Sequence, residues 1–178
     1  PFLAGGLWWI TASARFIGDE HRNRAWENAV MVVVFALALW GAYGSVPNDA
    51  DPGPYVAGQA PAPQFRNPVH CVRIARDGLV YVCDRVNNRI QVFRKNGTFV
   101  REFFTDRATL GNGSVWDVDF SPNERWLYNP DGENNVIWIL ERATGAYGDT
   151  FGRNGRYAGQ FHWVHNLATD SRGNIYTA

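Results

Sequence analysis

The stretch that decides the fold is residues 64–104, which read QFRNPVHCVRIARDGLVYVCDRVNNRIQVFRKNGTFVREFF. Its two tripeptides Arg76-Asp77-Gly78 and Lys95-Asn96-Gly97 end in the Asp-Gly and Asn-Gly pairs that supply the positive φ of tight hairpins. β-Branched and aromatic residues dominate the runs around these turns, as is usual for strands. The stretch therefore predicts one antiparallel sheet with strands at Val69–Ala75, Leu79–Cys83, Arg89–Arg94 and Thr98–Phe104.

The same pattern returns further along the chain. Val69–Val72 aligns with Val115–Val118 and Val164–Leu167, at offsets of 46 (115 − 69) and 49 (164 − 115). Asn87–Phe93 aligns with Asn134–Leu140 at an offset of 47 (134 − 87). A period of this length that carries four strands predicts stacked or radial repeats, with each sheet forming one blade of a propeller.

At Asp84–Phe93 the sequence DRVNNRIQVF resembles the NHL repeat. This resemblance implies an all-β fold of four-stranded antiparallel blades, in a propeller that usually has six of them. It also implies a module that binds a ligand or a protein on one face. Among NHL-repeat enzymes, the chain is distantly similar to peptidyl-α-hydroxyglycine α-amidating lyase, so the alternative function is that of a metal-dependent lyase or hydrolase.

The chain divides into three parts by composition. Residues 1–39 are an apolar segment without assignment, and residues 40–63 are a loop rich in proline and glycine. Residues 64–178 hold the blades, at 64–110, 111–154 and an incomplete 155–178. Six blades of this period need roughly 270 residues, so we expect the 178 residues to be part of a longer propeller.

The apolar run Ala29–Tyr43 has three interpretations, which the sequence leaves open. It is shorter than the roughly 20 residues of a membrane-spanning helix, but a membrane or signal-type helix remains one of them. The last strand of a preceding blade is the second, because the centre of the run is β-branched. A damaged or misread segment is the third.

The charge balance gives no sign of a polyanionic partner. The chain has 17 basic and 17 acidic residues, so its overall charge does not favour nucleic acid or an anionic membrane. Membrane contact is expected only through residues 1–43. A single lysine among the basic residues indicates a GC-rich genome and suggests a bacterial source.

Candidate binding residues cluster at two positions of the repeat. The first strand of a propeller blade is innermost, and His70, Trp116 and His165 all stand early in that strand, followed in the second blade by Asp117. Because imidazole is the commonest metal ligand, His70 and His165 are candidate ligands for a metal. The resemblance to the lyase implies zinc, with calcium as the other option.

The ends of the second strands supply the remaining candidates for the binding face, namely Asp84, Arg85 and Asp131. A carboxylate at this position has an alternative role, which is to cap the Asn-Asn turn that follows it. No nucleophile elbow, phosphate-binding loop or dinucleotide fingerprint occurs in the sequence.

Cys71 and Cys83 are the two cysteines, placed symmetrically about Asp77. A three-residue hairpin loop with Gly78 in the left-handed position pairs Ala75 with Leu79 and sets Cys71 opposite Cys83. Directly opposed residues lie within disulfide range, so we predict a disulfide in an oxidising compartment. An extracytoplasmic location, periplasmic or secreted, is therefore favoured. The alternative is a pair of packed thiols.

Overall fold

The computed structural model describes residues 40–47 and 50–178, so the interpretations of residues 1–39 lie outside the described part. The described residues contain ten strands and two single 3-10 turns, at Ala42–Gly44 and Arg85–Asn87, and no α-helix. The predicted all-β architecture is thus confirmed. Among these residues there is no helix that is long and apolar enough to span a bilayer.

The strands form three antiparallel sheets in sequence order. In the first, the order is β1 (Val69–Ile74), β2 (Val80–Asp84), β3 (Arg89–Phe93) and β4 (Phe99–Phe104); in the second it is β5 (Asp119–Phe120), β6 (Trp126–Asp131), β7 (Val136–Glu141) and β8 (Tyr147–Phe151); the third pairs β9 (Leu167–Thr169) with β10 (Ile175–Thr177). Each complete sheet is therefore the predicted four-stranded meander, because tight turns join strands that are neighbours in sequence.

The first hairpin has the predicted register. The backbone N–H of Ala75 donates to the carbonyl of Leu79, and Gly78 adopts a left-handed φ of 82°. Cys71 consequently faces Cys83 with their Cα atoms 4.8 Å apart, and the structure joins the two residues by a disulfide. The bond lies on the side of the first sheet that packs against the second sheet.

The core consists of layers between successive sheets. One apolar cluster joins the first two sheets, and its fully buried members are Tyr81, Cys83, Ile90, Val92, Val115, Val118 and Leu127. A smaller cluster of Ile137, Val164 and Leu167 joins the second sheet to the third. Face-to-face packing of consecutive sheets along the chain is the arrangement of propeller blades, so each blade needs a neighbour to bury its apolar face.

The residues before the first blade pack on its opposite side. The rings of Trp40 and Phe93 lie 6.0 Å apart, centroid to centroid. Within the proline-rich loop, the Tyr55 hydroxyl donates to the carbonyl of Arg107, and the Arg107 guanidinium donates to the carbonyl of Gln59. The loop is thus a connector held against the first blade.

Candidate ligand-binding site at the seam of three blades

Three side chains from successive blades converge on one face, as their shared repeat position predicts. The imidazoles of His70 and His165 lie 4.8 Å apart between ring centroids. The indole of Trp116 lies 5.6 Å from the first and 5.2 Å from the second. The innermost strands therefore bring together residues that are far apart in sequence, and Trp116 is the centre of the group.

Trp116 is fixed in place by its surroundings, and only 1% of its surface is exposed. Its indole N–H donates to the carbonyl of Gly113, and its backbone N–H donates to the carbonyl of Pro130. Gly132 lets the ring pack against the next loop, because a Cβ at that position would lie 2.9 Å from the indole. The indole is thus a rigid support for the side chains around it.

Arg85 places its guanidinium carbon 4.7 Å from the centre of the Trp116 ring, which is the geometry of a cation–π contact. Within the described residues the Arg85 side chain forms no ion pair, and its buried Nε has no hydrogen-bond acceptor. Burial lowers the pKa of the guanidinium, while the nearby Glu133 acts in the opposite direction. This cation is therefore partly desolvated without being neutralised.

Both histidines have a defined tautomer. Nδ1 of His70 contacts the carbonyl of Trp116, and Nδ1 of His165 contacts the side-chain oxygen of Asn166. Because these oxygens accept, each Nδ1 carries the hydrogen and each Nε2 keeps its lone pair in the neutral ring. Burial lowers the pKa of His70, and the positive charge of Arg85 and the neighbouring His165 ring act in the same direction.

Trp163 completes the cluster and was not among the predicted binding residues. Its indole lies 5.4 Å from that of Trp116, and 55% of its surface is exposed. Its φ of 60° is unusual for a bulky residue. The side-chain oxygen of Asn135 accepts its backbone N–H at 2.6 Å, which holds this conformation. The available sequence signal was the Asn-Asn repeat, since Asn88 and Asn135 have the same role.

Two of the predicted binding-face carboxylates are not available to a ligand, which corrects their assignment. Asp84 and Asp131 are both 0% exposed. Asp84 accepts from Arg89 Nε and Asn87 Nδ2, each at 2.7 Å. Asp131 accepts from the backbone and side chain of Asn134 and from the indole of Trp138. These carboxylates instead shape the loops that present the site, which is the alternative capping role.

Asp117 also has a structural position. It is 6% exposed, and its carboxylate accepts the backbone N–H of Leu167 across the boundary between the second and third blades. Arg73 lies 3.8 Å from the same carboxylate oxygen. Asp117 therefore links inner strands beneath the cluster rather than pointing into it.

For the predicted metal, the cluster offers the imidazole nitrogens of His70 and His165. Among the residues that the structure describes, no three His, Cys, Asp or Glu side chains lie close enough together to hold a metal ion. The two Nε2 atoms of His70 and His165 are nitrogen donors, which suit zinc. Calcium takes six to eight oxygen ligands, and this cluster does not offer them.

Comparison with known proteins supports the class of fold. Residues 67–93 match the family model described as the NHL repeat. This match, together with the four-stranded antiparallel sheets, supports the fold of an NHL-repeat β-propeller. No curated protein sequence matches the chain. The resemblance to the amidating lyase remains a prediction.

Similar solved structures include hydrazine synthase of Kuenenia stuttgartiensis, at 12% identity and a TM-score of 0.46 over 60% of this chain and 28% of that one. A protein of Bacteroides fragilis described as exported has 14% identity and a TM-score of 0.45 over 72% of this chain and 31% of its own. The chain thus spans less than a third of the length of either structure.

Proposed function

We propose that this chain is a binding module whose ligand or protein partner occupies the face formed by His70, Arg85, Trp116, Trp163 and His165, here called the Trp116 face. The observation that carries the proposal is the contact geometry around Trp116, where four neighbouring side chains surround one buried indole. Aromatic residues and arginine dominate the binding energy of protein interfaces. The Trp116 face consists of such residues, with two tryptophans, two histidines and one arginine.

Preorganisation supports the same conclusion. Trp163 is half exposed, yet a hydrogen bond to Asn135 and the edge of Trp116 hold it in one position. A side chain that is already ordered loses little conformational entropy when a ligand stacks on it. An exposed indole in a left-handed backbone conformation is also the kind of local strain that gathers at functional sites.

The disulfide supports an extracytoplasmic location, periplasmic or secreted. Such bonds persist in oxidising compartments and are rare in the cytosol. The bond between Cys71 and Cys83 lies within the first blade. The Trp116 face would accordingly meet ligands outside the cytoplasm.

Saturation-transfer NMR with a library of small aromatic fragments tests the binding function. We expect hits on the 178-residue chain whose signal disappears in Trp163→Ala. Tyr157→Ala is the matched control, because Tyr157 is 83% exposed in the same interblade loop and forms no ring contact with the cluster. Hits that survive Trp163→Ala, or the absence of any hit, would refute the proposal.

A second candidate is metal-dependent catalysis of the lyase or hydrolase kind. It is favoured by the two imidazoles, whose ring centroids lie 4.8 Å apart, whose Nδ1 atoms are hydrogen-bonded and whose Nε2 atoms have no partner among the described residues. Metal-binding histidines typically have this second hydrogen bond, which orients the ring. Both residues could donate to zinc, which in a catalytic site has three protein ligands.

Titration with Zn²⁺, followed by the NMR signals of the histidine rings, tests the second candidate. We expect site-specific shifts of His70 and His165 that are lost in His70→Ala. His162→Ala is the control, because His162 is an exposed histidine of the same loop outside the cluster. Equal zinc affinity of the wild type and His70→Ala would rule out a metal site at these residues.

A further inference from the structure

The Arg85 guanidinium forms no ion pair with any residue that the structure describes. Its Nε is buried and has no acceptor, and none of the ion pairs between described residues includes it. By contrast, Arg89, four residues further along the chain, is paired with Asp84 at 2.7 Å. A buried donor that lacks an acceptor costs free energy in the unliganded protein. The terminal Nη1 and Nη2 are not among the buried unpaired atoms of the described residues, so they are the donors that an anion can reach.

The surroundings of Arg85 orient its planar fork. One face of the guanidinium lies on the Trp116 ring, so the donors can point only outward from the edge of the group. The charge of Glu133 acts on Arg85, but the Glu133 carboxylate accepts a hydrogen bond from Asn112. The two histidines on the other sides of Trp116 bring no negative charge. The two terminal nitrogens of Arg85 are thus the donors that can receive a planar anion.

We propose that the Trp116 face takes a carboxylate attached to an aromatic body, an inference that rests on the proposed binding function. The carboxylate accepts two hydrogen bonds from Arg85, since guanidinium and carboxylate match as bidentate partners. The aromatic body stacks against the exposed indole of Trp163. Trp116 contacts both residues and sets the distance between the charged and the apolar parts of the ligand.

The probe for this proposal is 2-naphthoate, compared with its uncharged analogue 2-naphthamide. We expect the carboxylate to bind the 178-residue chain at least tenfold more tightly than the amide, measured by titration calorimetry and by shifts of the indole N–H signals in NMR spectra. Arg85→Gln should reduce naphthoate affinity about 10- to 100-fold, because hydrogen bonds to charged groups have this strength, and should weaken naphthamide binding far less, because the amide carries no charge.

Two further variants separate a specific contact from general charge. Glu133→Gln should tighten naphthoate binding, since it removes the acidic group that acts on Arg85. Arg156→Gln removes an exposed arginine of the interblade loop and should leave the affinity within twofold. Unfolding curves of Arg85→Gln that match the wild type would show that its loss of binding is not a loss of folding.

The outcomes distinguish this inference from the function on which it rests. If naphthoate and naphthamide bind equally and both need Trp163, the carboxylate proposal fails and the binding function stands. If naphthoate binds but Arg85→Gln does not weaken it, the assignment of Arg85 is wrong. If naphthoate does not bind at all, the proposal is overturned, whatever the fragment library shows.

Discussion

Asn135 accepts the backbone N–H of Trp163 through its side-chain oxygen, at 2.6 Å, and so connects the second blade to the entrance of the third. Asn88 has the same relationship with Ser114 one blade earlier, at 2.7 Å. Both asparagines have a left-handed φ, of 59° and 56°. The second residue of each Asn-Asn pair is therefore a repeated link between blades, and the link at Asn135 positions an exposed residue of the Trp116 face.

Replacing Asn88 with alanine should destabilise the fold. The change removes the acceptor of Ser114 N–H and the donor to the Thr109 carbonyl, all buried. We expect the free energy of unfolding to fall by about 2–4 kcal/mol, from buried groups left unpaired and from the left-handed backbone. Asn88→Gly should cost less, because glycine adopts that φ freely. Urea denaturation checks both variants, and an equal loss would exclude the backbone contribution.

Arg89 and Asp84 form a fully buried ion pair, so the removal of one partner should be costly. Arg89→Val leaves Asp84 buried and charged without its cation. The expected loss of unfolding free energy is about 3–5 kcal/mol. Adding Asp84→Asn should restore part of it, since it removes the buried carboxylate that Arg89 would otherwise neutralise. Additive effects in denaturant unfolding would contradict the coupling.

The disulfide between Cys71 and Cys83 should stabilise the first blade. The two residues are separated by 12 positions, and closing a loop of this size contributes about 3 kcal/mol in the chain-entropy model. Without reductant, the denatured protein should show no free thiols. The variant with both cysteines replaced by serine should be less stable and insensitive to dithiothreitol. Two titratable thiols in the unreduced protein would refute the bond.

Stability should fall as the pH falls below about 6.5, the ordinary pKa of histidine. The folded-state pKa of His70 is lowered by burial, by the charge of Arg85 and by the neighbouring His165, against the Trp116 carbonyl and Asp117, which raise it. Between pH 6.5 and the lowered pKa of folded His70, the unfolded chain binds more protons than the folded chain. Lowering the pH through this range therefore favours unfolding. His70→Gln should flatten the pH dependence of urea midpoints measured from pH 7.5 to pH 5, and an unchanged slope would show that His70 does not contribute.

The sequence by itself determined the strand register within one blade and the equivalent positions of successive blades. The turn at Asp77-Gly78 set the register of Val72 on Val82 and of Cys71 on Cys83, because hairpin pairing follows from loop length and from the residue that takes a positive φ. The repeat period placed His70, Trp116 and His165 at equivalent positions of three blades, and so predicted their convergence.

Only the tertiary structure decided which side chains near that point can reach a ligand. Asp84 and Arg85 are adjacent in sequence, yet the first is buried beneath Arg89 and the second lies on Trp116 of another blade. Trp163 joins the face because Asn135 holds its backbone across a blade boundary. The burial of Asp84 and the contacts of Arg85 and Trp163 depend on how successive sheets stack on each other. A local pattern of residues does not determine that stacking.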